Sequence, residues 1–387
     1  MNIISDIKKC TGCSACYNSC GVGAIKMESD ENGFLYPKVD ESKCVKCLKC
    51  QRACPVDNKS EVKNNPLYYI CKNKDEDIRK KSSSGGIFTI LAQYVVESGG
   101  VVYGAGFDNE WKVVHTRADS AETLQCLRGS KYVQSEIGST FSDVKKDLDN
   151  GKKVLFSGTP CQIGGLVGFL GKREYENLIT VDLICHGVPS PKVWKKYLDE
   201  LNHKYSATPV EVNFRYKDNH PTKPGFSNYM YVEYENSCYK KNRNDDVYWG
   251  VFLSDLPLRD SCFDCSFKGK HRQSDFTLAD FLGIDRLENI DKDFTDNKGI
   301  SLVIVNSEKA QKIFDIVSDK MILRETDFEK SIIKNQMMIS SAIAPFGRNG
   351  FFKNLEKYNI EQLYKKYYVN GEKFGYGKVI RKLKTMK

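Results

Sequence analysis

The chain has 387 residues, 40% of them hydrophobic and 28% charged. That is the balance of a globular protein with room for two or three domains, and it excludes a disordered or fibrous one. The net charge is +9, but ten Lys/Arg against three Glu fall between Phe351 and Lys387. The remainder is nearly neutral, which argues against a general nucleic-acid footprint.

The first informative stretch runs from Cys10 to Cys54. It opens as K-C-T-G-C-S-A-C-Y-N-S-C-G and closes as K-C-V-K-C-L-K-C-Q-R-A-C-P, two copies of C-x2-C-x2-C-x3-C. Three thiolates at those spacings cap three corners of one 4Fe–4S cube, and in a bacterial-type two-cluster ferredoxin the fourth cysteine crosses to the other cube. On that pattern Cys10, Cys13, Cys16 and Cys54 form one set, and Cys20, Cys44, Cys47 and Cys50 the other. The halves must then embrace, so residues 33–40 between them should pair or pack locally. Gly21 follows Cys20 where the usual pattern has proline, and Cys54–Pro55 keeps it. Zinc favours two separated C-x2-C knuckles, and disulfide scaffolds belong to small secreted chains. Fifteen cysteines, no apolar signal core in Met1 to Lys9, and a longest uncharged apolar stretch (Ser82 to Val96) below the ~20 residues of a membrane span imply metal work in a reducing, cytoplasmic setting.

Asp57 to Pro66 reads as a polar linker, Leu67 to Cys71 as a strand and Asp75 to Lys81 as a helix. S-S-S-G-G-I-F-T (Ser82 to Thr89) then leads into an apolar helix ending near Val96. Exposed backbone N–H groups at such a start suit a phosphate or flavin edge, and an ordinary capped helix is the plain alternative. Gly99 to Gly106 gives a turn and a strand, not a nicotinamide-binding fingerprint. Trp111 to Arg117 alternates as a strand, and Ser120 to Leu127 as a short helix. R-G-S-K-Y-V-Q-S (Arg128 to Ser135) follows, rich in groups that suit an anionic ring-bearing ligand. Phe141, Val144 and Leu148 share a helix face after Ser139.

Val154 to Phe156 is a buried-type strand ending in S-G-T-P-C-Q-I-G-G. Pro160 falls at a first helical position, so Cys161 sits where a helix dipole favours a thiolate. Leu178 to Ile184 is a second such strand, ending in C-H-G-V-P-S-P. Alternation of this kind predicts α/β layering. Pro209 to Tyr216 and Asn228 to Glu235 read as a hairpin. R-D-S-C-F-D-C then carries Cys262 and Cys265 ahead of S-D-F-T-L-A-D-F-L-G, and a strand (Ile300 to Asn306) and a helix (Glu308 to Val317) follow.

Of the seven remaining cysteines, Cys161, Cys185, Cys262 and Cys265 would converge on a third cube if the strand ends share one sheet edge. Zinc on Cys262, Cys265 and His271, a C-x2-C redox disulfide, and a Cys161–His186 nucleophile pair compete. The last needs a third group to orient the histidine, and none is identifiable. Cys71, Cys126 and Cys238 read as packing thiols. The basic tail reads as a solvated surface, with docking of an acidic partner or peripheral contact with anionic lipid as the lesser reading. Val379, Ile380, Leu383 and Met386 could form a narrow apolar stripe there.

S-S-G-G-I-F, R-G-S-K-Y-V-Q-S, S-G-T-P-C-Q, C-H-G-V-P-S and the C-x2-C pair followed by A-D-F-L-G together resemble the beta subunit family of coenzyme F420 hydrogenases and dehydrogenases, over about Leu67 to Ile343. The resemblance implies four segments. Residues 1–58 are a two-cluster ferredoxin domain of α+β ferredoxin-like fold. Residues 66–149 and 150–330 are the two parts of an α/β flavin-binding region with a mixed sheet, and 331–387 a helical basic tail. It implies FAD, lined by Ser84, Gly85, Gly86, Lys131, Tyr132 and Gln134, and one 4Fe–4S cluster on Cys161, Cys185, Cys262 and Cys265. His186 would tune that cluster, relay a proton, or be structural. The implied activity is a flavin-dependent iron–sulfur oxidoreductase working between a ferredoxin or other redox protein and a small-molecule redox substrate. The alternative is a non-catalytic electron-transfer subunit serving a partner enzyme.

Overall fold

The computed structural model describes residues 2–60, 62–219, 225–287 and 292–369. The apolar stripe at Val379, Ile380, Leu383 and Met386 lies outside them. In the first 58 residues, β1 (Ile25–Ser29) pairs antiparallel with β2 (Leu35–Val39), so residues 33–40 do pair locally. Each cysteine run winds into a one-turn helix, Ala15–Asn18 in the first half and Lys49–Arg52 in the second. Both are entered through a left-handed residue, Ser14 (φ 60°) and Leu48 (φ 61°). The halves are geometric twins.

The larger body is built on one eight-stranded mixed sheet. Its strands are β3 (Leu67–Asn73), β4 (Val101–Phe107), β5 (Val113–Ala118), β6 (Val154–Ser157), β7 (Leu178–Leu183), β11 (Phe276–Asp280), β12 (Ser301–Val305) and β13 (Met321–Thr326), in the order β13-β3-β12-β11-β7-β6-β4-β5. The central run β11-β7-β6-β4 is parallel and the flanks are antiparallel. Residues 66–149 and 150–330 therefore share a sheet. A separate three-stranded antiparallel sheet holds β8 (Pro209–Asn219), β9 (Phe226–Tyr234) and β10 (Ser237–Asn242).

Side-chain alternation along the strands sets the layers. Val102, Leu155 and Val303 point to one face, against helices Ile87–Glu97 and Glu308–Val317. Val101, Val154 and Phe156 point to the other, against helices Thr140–Asp149 and Pro160–Phe169, where Cys13, Ala15 and Ala53 of the ferredoxin part join the same core. Trp194, Phe214 and Tyr248 centre a further core that takes in Phe351, Ile360 and Leu363. The described part of the tail thus packs its apolar side against this core, while Lys353, Lys357, Lys365 and Lys366 stay exposed, as a solvated basic surface requires. Among the described residues no helix is long and apolar enough to cross a membrane.

Candidate redox site

The helix Pro160–Phe169 organises the site. Pro160 starts it, and Gln162 reaches back to the Thr159 N–H (2.9 Å). Gln162 also donates to Ser135 Oγ (3.0 Å), which meets His115 Nδ1 at 2.8 Å, and His115 Nε2 lies 3.0 Å from the Ser157 carbonyl at the end of β6. This buried chain fixes the turn that presents Cys161. Burial pulls the His115 imidazole down to about 4. Burial pushes the Cys161 thiol well above its ordinary value, and the neighbouring Cys265, Cys185 and Cys262 push the same way.

Cys161 and Cys185 follow the ends of the adjacent parallel strands β6 and β7. Cys262 and Cys265 are carried to the same place, and all four line one cavity with Thr11, His186, Arg259, Lys268 and Arg272. Lys268 Nζ donates to the Cys185 carbonyl (2.5 Å) and the Met337 carbonyl (2.6 Å). Arg272 is 3% exposed, and its Nε has no hydrogen-bond partner among the described residues. His271 is not among the residues that line the cavity, and its Nδ1 lies 3.0 Å from Asn64 Oδ1. His186 has an orienting partner after all: its Nε2 is 2.5 Å from Asp255 Oδ1. Asp255 is buried and 69 residues distant, so no local spacing announces it.

The ferredoxin part abuts this cavity. Cys10, Cys13, Cys16 and Cys54 line a second cavity, and Thr11 lines both. Burial raises the Cys13 thiol to about 12, and Cys10 and Cys54 add to the effect. In the other half Cys50 is raised by burial, then by Cys20 and Cys47. Gly165 and Gly168, on the Cys161 helix, let the two parts meet. A Cβ on Gly165 would lie 2.9 Å from Cys13 Sγ, and one on Gly168 2.3 Å from the Ala53 carbonyl oxygen. Arg259, fully buried, locks the junction. Its Nε donates to the Cys10 carbonyl (2.7 Å), Nη2 to the Leu35 carbonyl (2.9 Å) and Nη1 to Gln134 Oε1 (3.1 Å), with the guanidinium 4.2 Å from the Tyr36 ring centroid. Neither Arg259 nor His115 stood out in the sequence.

The glycine-serine loop is anchored by its own backbone. Gly85 N–H donates to Ser301 Oγ (3.0 Å), Ser84 Oγ to the Ile300 carbonyl (2.8 Å), and Lys217 Nζ to the Ser84 carbonyl (2.6 Å). Gly86, at φ 87°, caps the helix. Ser130 N–H donates to Ser83 Oγ (2.7 Å), which brings the R-G-S-K-Y-V-Q-S stretch against this loop. Lys131 Nζ rests on the Cys126 and Arg128 carbonyls, and burial lowers it to about 7. Tyr132 packs on Trp249, ring centroids 4.4 Å apart. Burial would raise the nearby Asp280 carboxyl, but Arg215 (2.7 Å) and Ser84 outweigh it and hold it low. Gln134 does not join this corner, because its amide bridges the Thr11 carbonyl (2.9 Å) and Arg259. Cys71 is a buried packing thiol, as read, but Cys126 and Cys238 are exposed. Cys238 sits on β10, at one edge of the small sheet.

A ferredoxin-like twin-helix unit seated on an α/β sheet, with its thiols facing a second group of four across one threonine, belongs to the class of iron–sulfur redox proteins. Family comparison agrees. Residues 68–141 match the model of the coenzyme F420 hydrogenase/dehydrogenase beta subunit N-term, 151–331 that of the C terminus, and 9–58 that of the 4Fe-4S dicluster domain. The chain belongs to the coenzyme F420 hydrogenase/dehydrogenase beta subunit family, and carries a 4Fe–4S dicluster domain in front of it. It is 30% identical over 181 residues to a coenzyme F420-dependent sulfite reductase of Methanocaldococcus jannaschii, a match over 43% of this chain and 26% of that protein. The match thus spans about a quarter of that relative's length. An uncharacterized ferredoxin of the same organism is 36% identical over 80 residues, 21% of this chain and 94% of the ferredoxin. The pyruvate synthase subunit PorD, also from that organism, is 42% identical over 60 residues, 16% of this chain and 65% of the subunit. Among solved structures, a chain of the F420-reducing NiFe hydrogenase complex of Methanosarcina barkeri aligns with a TM-score of 0.48 at 18% identity, over 72% of this chain and 88% of that one.

Proposed function

We propose that the chain is an iron–sulfur flavoprotein oxidoreductase that passes electrons between a one-electron protein carrier and a small organic two-electron substrate. The residues that would hold its groups are Cys10, Cys13, Cys16 and Cys54; Cys20, Cys44, Cys47 and Cys50; and Cys161, Cys185, Cys262 and Cys265, each set for one 4Fe–4S cluster. Ser84, Gly85, Gly86, Lys131 and Tyr132 would line FAD. Bound there, clusters supply single-electron transfer and a flavin supplies hydride exchange with an organic partner.

The cysteines fit such clusters. Four thiols around one cavity suit a cube, while among the described residues no three His, Cys, Asp or Glu gather at single-ion spacing. The observation that carries the reading is Thr11, which lines both the Cys10–Cys54 cavity and the Cys161–Cys265 cavity. Cys161 and Gly165 lie four residues apart on one helix, a rise of about 6 Å, so the two sites are separated by roughly one helical turn. Arg259 holds the Cys10 loop between them. Lys268 and Arg272 put positive charge beside the third quartet, which stabilises added negative charge there. His186, oriented by Asp255, holds its imidazole at the cavity wall.

Anaerobic purification with iron, acid-labile sulfide and flavin analysis tests this. About twelve irons and one flavin per chain are expected. Iron without flavin removes the flavin half of the reading, and zinc without iron overturns it. A second reading, a subunit that only relays electrons to another protein, draws support from the match to a quarter of the sulfite reductase. Turnover of a deazaflavin or nicotinamide by the isolated chain separates the two.

A further inference from the structure

The two cysteine runs are internal copies of one another, yet their surroundings differ. From Thr11 to Cys16 the first copy is buried, covered by the helix Pro160–Phe169 and by Arg259. At the matching positions the second copy is open: Val45 is 64% and Leu48 43% exposed, and Lys46, Cys47, Lys49 and Arg52 are exposed too. The residues change with the exposure. Where the covered copy has Gly12, Ser14, Ala15 and Asn18, the open copy has Lys46, Leu48, Lys49 and Arg52. Lys46 (φ 56°) and Leu48 (φ 61°) both adopt the left-handed conformation, unfavourable for any residue with a Cβ. Among the described residues Lys46, Lys49 and Arg52 pair with no carboxylate, whereas Lys43 pairs with Asp40 (3.6 Å). Arg52 Nη2 donates to the Cys47 carbonyl (3.1 Å), so that guanidinium sits beside the cysteine.

We infer that the Val45–Arg52 surface is the docking site for a small acidic one-electron carrier protein. Two exposed apolar side chains supply a dry contact, and a ring of three unpaired cations steers a negatively charged partner onto it. One electron leaves the carrier, which is oxidised by one unit, and enters the chain at the Cys20, Cys44, Cys47 and Cys50 quartet. No bond forms or breaks and no proton moves. The covered copy, against Cys161, marks the way inward. This rests on the reading that those cysteines hold a cluster.

The test is stopped-flow reduction of the full, iron-loaded chain by a reduced acidic two-cluster ferredoxin, as a function of salt. The wild-type rate falls steeply with salt. K46E/K49E slows it about tenfold or more at low ionic strength and flattens the salt dependence, K46Q/K49Q does so by less, and Lys26→Glu on β1 leaves it unchanged. Iron content and the cluster EPR signals of each variant match the wild type. A rate indifferent to the reversal in an iron-loaded chain overturns this docking site and leaves the redox reading standing. A chain that holds no iron removes both. Equal slowing by Lys26→Glu, or binding to anionic vesicles that K46E/K49E abolishes while the ferredoxin rate stands, overturns the docking site as well.

Discussion

Gly165 faces Cys13 across the junction of the two parts, so closely that a Cβ at 165 would lie 2.9 Å from the Cys13 sulfur. Alanine in a helix gains up to about 1 kcal/mol over glycine, but overpacking a filled interface costs about 1–3 kcal/mol. The clash wins. Gly165→Ala lowers the melting temperature by a few degrees and weakens iron retention at Cys13; thermal unfolding and iron content read the two effects.

Removing the Arg259 guanidinium leaves the Cys10 and Leu35 carbonyls without their buried donor, at about 1–3 kcal/mol each. Arg259→Met therefore loosens the ferredoxin part, visible as faster amide exchange across residues 10–16 and 34–36. Arg259→Lys recovers only part of this, because one ammonium cannot span three acceptors held in a planar fork.

Cys185 and His271 separate the readings of the third quartet. Cys185→Ser lowers iron from about twelve to about eight per chain, while His271→Ala leaves it unchanged. Equal loss in the two variants would favour zinc coordination by Cys262, Cys265 and His271.

His115 makes the fold acid-sensitive. Burial lowers its imidazole from 6.5 to about 4, so the unfolded chain binds the proton first. Its contribution is complete above pH 6.5 and is lost as pH falls from there towards 4, on the order of 3 kcal/mol in all. Melting curves from pH 7 to 4.5 should show this slope, and His115→Gln should reduce it.

The family models and the residue pattern agree because the family's signals are local. C-x2-C-x2-C-x3-C, S-G-T-P-C-Q and C-H-G-V-P each place a reactive group within a few residues of the turn that presents it. Strand and helix periodicity likewise revealed β6, β7 and the helix Glu308–Val317, since alternation needs only near neighbours. The exposed Cys126 and Cys238 were read wrongly because burial is not a local property.

What the sequence alone determined is the inventory: ten cysteines in ligand-like spacing and two more at strand ends, an α/β layer pattern, and the loops beside the helix at Ile87. Only tertiary structure decided which groups share a space. Thr11 between two cavities, Asp255 behind His186, Arg259 on the Cys10 loop 249 residues away, and the contrast between covered and open cysteine copies all depend on contacts between distant segments. A buried arginine and a solvated one are the same letter in a chain, and only packing tells them apart.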